Sequence, residues 1–92
     1  MTKRDPRYDK VRKLIELEVL TTFREIFEFV PKSVVARDLC MNSARFTKLM
    51  YHVDRFILKD LFSIAHLIGI SEQRILRLVM DQFDKDRPGY QN

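Results

Sequence analysis

In the stretch KSVVARDLCMNSARFTKLM, residues 32–50, the side chains able to do chemistry are Lys32, Ser33, Asn42, Ser43, Arg45, Thr47 and Lys48. What they offer is charge and hydrogen bonding, not bond breaking. A guanidinium such as that of Arg45 can donate two parallel hydrogen bonds to a planar acceptor edge. Lysine ammonium groups serve phosphates as point charges, and short hydroxyls and amides add further donors. Nothing nearby completes a catalytic set. His52 and His66 lie on different segments with no cysteine or second histidine at ligand spacing, so no metal site is expected. His66 shares the polar side of its helix with Lys59 and Ser63 and reads as a solvated side chain. Cys40 has no base beside it, and a buried turn thiol is the simpler reading than a nucleophile. A chain with two glycines has no glycine-rich phosphate loop. Neither a cofactor nor a small-molecule substrate is implied, and no enzyme is expected.

The placement of charge points to a partner. The chain of 92 residues carries a net charge of +4. Residues 1–30 hold seven basic and six acidic side chains, and residues 60–92 hold four and five. Residues 31–59 hold Lys32, Arg37, Arg45, Lys48, Arg55 and Lys59 against only Asp38 and Asp54, so the excess sits here. A localised basic excess suits a polyanion. The plain alternative is a solvated face.

Stepping outward, the elements that must hold these residues read as helices. The chain is 46% hydrophobic, which is enough to fold, and glycine and proline are scarce. No run alternates as a strand would. The expected class is all-α, one compact domain of five or six helices over residues 1–92. Pro6 suits a first helical turn, and Val11, Leu14, Ile15, Phe23, Ile26, Phe27 and Val30 keep helical spacing. One helix from Arg7 to Phe29 would exceed what so small a domain can cover. TFRE, residues 22–25, has the form of a capping box, so a break is expected near Leu20–Thr22. Pro31 ends the second piece. A helix from Ser33 then buries Val35, Ala36 and Leu39. Asn42 caps the next, which buries Phe46, Leu49 and Met50. FILKDLFSIAHLIGI, residues 56–70, places Leu61, Ile64, Ala65 and Ile68 on one face and ends at Gly69. Ser71 starts a last helix burying Ile75, Leu78, Val79 and Phe83. The polar tail, from about 85 to 92, is expected to be disordered. No signal peptide or membrane span is evident, which suggests a soluble cytoplasmic protein.

The helices on either side of Cys40 are each too short to stand alone in water. They persist only by locking together, through Val35, Leu39, Met41, Phe46 and Leu49, with Ala36 small enough for a close crossing. The arrangement over residues 32–52 is a helix-turn-helix, whose second helix, about 43–52, can enter the DNA major groove. These residues resemble the helix-turn-helix of the lambda-repressor/Cro-like family of bacterial and phage regulators. LKDLFSIAHLIGIS is similar to that family's next helix. IFEFVPKSVVARDL resembles small members of this type from Bacteroidetes and their mobile elements. The resemblance covers roughly residues 23–75 and implies a DNA-binding transcription regulator. Two positions depart from it. The family usually has glycine where Cys40 stands, because the turn needs positive φ, and glutamine where Lys32 stands.

At 100° per residue, Phe46, Leu49, Met50 and Val53 define the buried side of the second helix. Ala44, Lys48 and Tyr51 then face away, with Arg45 and Thr47 on the flanks. Residues near the start of a recognition helix reach deepest into the groove. Ser43, Ala44, Arg45 and Thr47 are the candidate base contacts, Arg45 suiting guanine. Lys32, Ser33, Asn42 and Lys48 are the candidate phosphate contacts. Double-stranded DNA is thus the expected partner. Val11, Leu17 and Leu20 add apolar area through which the N-terminal helix is expected to pair in a homodimer. The competing reading is a protein-interaction module, antitoxin-like or a dimeric adaptor, that keeps the fold.

Overall fold

The computed structural model describes residues 4–87. Among them five α-helices and two 3₁₀ turns follow one another without a strand. The helices are α1 (Arg7–Glu16), α2 (Lys32–Asp38), α3 (Ser43–Met50), α4 (Leu58–Ile68) and α5 (Glu72–Asp86). The 3₁₀ segments, Phe23–Glu28 and Val53–Arg55, precede α2 and follow α3.

Pro6 stands just before α1, and Tyr8, Val11 and Ile15 give the helix one buried face. The break comes earlier than the expected Leu20–Thr22. Glu18 adopts φ 59°, and its N–H donates to the Ile15 carbonyl while Val19 N–H donates to that of Leu14. That paired bonding closes a helix over a left-handed residue, a position glycine fills at least cost. Here glutamate fills it, so no glycine marks the stop. Val11 and Leu20 are buried and add nothing to an outer face, which corrects the area expected for a dimer. Leu17 and Val19 flank Glu18 and stay 71% and 63% exposed.

The chain then re-enters as a 3₁₀ turn rather than an α-helix. The Glu25 carboxylate accepts the N–H groups of Thr22 at 2.8 Å and Thr21 at 3.0 Å, the backward half of a capping box. Burial opposes the charge, but a bond from the Thr22 hydroxyl at 2.8 Å together with these two holds the Glu25 carboxyl below its ordinary value.

Phe23, Phe27, Phe46 and Phe56 meet edge to face, in a closed ring of contacts with centroids 5.3–5.9 Å apart. Such pairs add to plain area burial. The ring joins the first 3₁₀ turn, α3 and the end of the second 3₁₀ turn into one core. The outward chemistry of α3 therefore rests on a stiff base. Leu61, Ile64, Ala65 and Ile68 of α4 are buried, and Gly69 ends the helix at φ 92°. Ser71 Oγ accepts the Arg74 N–H, starting α5 as expected. Helix α5 runs to Asp86, so Lys85 and Asp86 are helical where a disordered tail was expected. Residues 88–92 of that tail lie outside the described residues. No helix among the described residues is long and apolar enough to cross a membrane.

Candidate nucleic-acid interface

Helices α2 and α3 pack on each other across the short connection Leu39–Asn42. Helix α2 closes at Cys40, whose φ is 56°. Cys40 N–H donates to the Arg37 carbonyl at 3.0 Å and Met41 N–H to that of Ala36 at 2.8 Å. This is the same two-bond stop seen at Glu18. The left-handed conformation costs a residue with a Cβ on the order of 1 kcal/mol, and cysteine bears it here. Its thiol is exposed, not buried. Leu39 and Met41 are half-buried, while Val35, Ala36, Phe46, Leu49 and Met50 form the shared interior.

Asn42 begins α3. Its side-chain oxygen accepts the Arg45 N–H at 3.0 Å, satisfying one orphan donor of the first turn. That oxygen is thereby engaged within the fold, while Asn42 itself stays exposed. Ser43, Ala44, Arg45 and Lys48 are exposed, with Phe46, Leu49 and Met50 on the opposite side. Thr47 is half-buried and its hydroxyl donates to the Ser43 carbonyl at 3.0 Å. The hydroxyl hydrogen of Thr47, an expected base contact, is thus used within the helix. Lys32 and Ser33 are exposed at the start of α2. Helix α3 ends at Met50, leaving Tyr51 and His52 of the expected recognition segment beyond it.

Among the described residues Lys32, Arg45 and Lys48 make no ion pair. Arg37 alone of the α2–α3 cations has one, to Asp38 at 3.3 Å. Asp38 also accepts the Tyr8 hydroxyl at 2.8 Å, tying the end of α2 to α1. That bond and, above all, burial push the Tyr8 phenol well above its ordinary range. No three His, Cys, Asp or Glu side chains among the described residues gather as a metal site. His52 and His66 are both exposed.

Behind α3 lies a cluster that sequence reasoning missed. Arg24, in the first 3₁₀ turn, donates from Nε and Nη2 to the Met50 carbonyl at 3.0 and 2.9 Å. It also forks onto Asp86 of α5 at 3.2 and 2.6 Å. Its carbon Cζ sits 4.6 Å from the centre of the Tyr51 ring. Gln82, the one buried polar residue among the described residues, accepts the Arg24 N–H at 2.9 Å and donates to Asp86 at 3.0 Å. The signal was present in weak form. Gln82 follows Leu78 by four and Val79 by three, so a polar residue falls on the inward face of α5.

No protein-family model, curated protein or solved structure matches this chain.

Proposed function

We propose that this is a DNA-binding transcription regulator of the lambda-repressor/Cro-like kind, a binding protein of the cytoplasm rather than an enzyme. Helix α3 would enter the major groove, with Ser43, Ala44 and Arg45 at base edges and Lys32, Ser33, Asn42 and Lys48 on phosphates. One observation supports this best. Lys32, Arg45 and Lys48, exposed on the α2–α3 face, have no acidic partner among the described residues, next to a helix start whose side chains point away from the core. Unpaired cations on a rigid helical surface are what a polyanion neutralises. Arg45 on an exposed first turn suits bidentate contact to guanine.

The test is a titration of the purified protein against a random-sequence duplex at two salt concentrations, followed by selection of preferred sequences. Salt-dependent binding with an enriched sequence is the expected result. Absence of binding at low salt would overturn the reading.

A second reading, a protein-interaction module, is favoured by Leu17 and Val19, apolar side chains left exposed on either side of Glu18. Self-association through that turn would also place two copies of α3 on one duplex, the arrangement by which small regulators gain specificity. Sedimentation at low and high protein concentration separates a dimer from a monomer.

A further inference from the structure

Helix α3 has eight residues, Ser43–Met50, and a helix of that length does not hold its own conformation in water. Its packing is chiefly on α2 and on the 3₁₀ turn that follows it. At its carboxyl end the last carbonyls lack intrahelical donors and carry the negative pole of the helix dipole. The Arg24 guanidinium meets the Met50 carbonyl there with two hydrogen bonds, and the same planar group forks onto Asp86. Arg24 and Asp86 have side chains 25% and 32% exposed, so solvent competes only in part. Gln82 holds the Arg24 backbone and Asp86 at once, which leaves the fork no freedom to slide along α5. The Tyr51 ring covers one face of the guanidinium.

We infer that Arg24 is a positioning residue for the α3 surface, setting the height and pitch of that helix against α5. This rests on the DNA-binding reading. Arg24 caps the end of α3 opposite to Ser43, Ala44 and Arg45. A tilt about that end is magnified where base contacts would be made. A bidentate contact tolerates little misalignment, whereas a point charge on a phosphate tolerates more. Loss of the clamp therefore acts on sequence discrimination before it acts on general affinity. Lysine cannot replace arginine here, because a single ammonium cannot bond Met50 and fork onto Asp86 together.

The experiment compares wild type, Arg24→Lys, Arg24→Gln and Asp86→Asn, below the thermal midpoint of every variant. The probes are a duplex enriched by wild type from a random pool and a scrambled duplex of equal length. Expected is a loss of about tenfold on the enriched duplex for all three variants, in the range of a spoiled base contact. On the scrambled duplex the loss should stay below about twofold, with the salt slope unchanged. Arg24→Lys keeps the charge, so its failure to rescue separates geometry from electrostatics. A drop in slope of about one unit for Arg24→Gln would make Arg24 a phosphate contact and overturn the inference. So would equal discrimination by wild type and folded variants. Amide hydrogen exchange at Leu49, Met50 and Tyr51 gives an answer independent of DNA. Faster exchange in Asp86→Asn and Arg24→Lys supports the clamp even if wild type binds no duplex, in which case the functional reading alone fails. Unchanged exchange there overturns the clamp itself.

Discussion

Two regions of this protein use their cations differently. Around α1, α4 and α5 they are built into the fold. Arg4 donates to the Leu67 and Ile68 carbonyls, Arg74 to that of Ile15 and Arg24 to that of Met50. Each thus caps the carboxyl end of a helix distant in sequence, where positive charge is favoured. On the α2–α3 surface Lys32, Arg45 and Lys48 meet no carboxylate among the described residues. The formal charge of each group is the same. The difference lies in whether a helix end or an acid stands opposite, and it separates cations bound within the fold from cations without an internal ion pair among the described residues.

Residues 45 and 46 offer the sharpest contrast, because adjacent side chains belong to the two regimes. Phe46→Ala opens the four-phenylalanine ring and should destabilise by about 3–5 kcal/mol, read by urea unfolding. A loss under about 1 kcal/mol would mean that the ring does not support α3. Arg45→Ala should leave unfolding within about 0.5 kcal/mol of wild type. Its specific DNA affinity should fall by about 1–3 kcal/mol, measured on the enriched duplex. Equal specific binding by wild type and mutant would remove Arg45 from base readout.

Cys40→Gly relieves the left-handed strain at the turn and should raise unfolding stability by about 1 kcal/mol, with DNA affinity unaltered. Lys32→Ala and Lys48→Ala should each weaken all duplexes alike and reduce the salt slope by about one unit. A loss confined to one sequence would argue against phosphate contact.

The smallest effect concerns acid. The Arg24 guanidinium holds the Asp86 carboxyl below its ordinary value of 3.8. Its folded pKa is thus depressed, so the stabilisation is complete above the unfolded value and is lost as pH falls through the folded one. The difference in thermal midpoint between wild type and Asp86→Asn should shrink as pH is lowered from about 5 to about 2. A constant difference would show that Asp86 acts by packing and not by charge. Asp5, held at about 2 by hydrogen bonds from the Arg7 side chain and backbone, titrates in both proteins and cancels in the comparison.

Sequence alone determined the helical class, the start of α3 at Asn42, the start of α5 at Ser71, the stop at Gly69 and the inward faces of α3 and α4. Those features depend on residues at most four positions apart, within reach of one helical turn. The left-handed turn at Cys40 was implied only by the resemblance, in which glycine usually stands at that position, and the structure gives Cys40 φ 56°. Tertiary structure decided the rest. Glu18 stops α1 without a local glycine, because burying Val11, Ile15 and Leu20 together requires the chain to reverse there. Arg4, Arg24 and Arg74 find their carbonyls 26 to 64 residues away, a pairing no local pattern encodes. Which cations remained without an internal ion pair among the described residues followed from that pairing, because a charge is free only once the fold has chosen what stands opposite it.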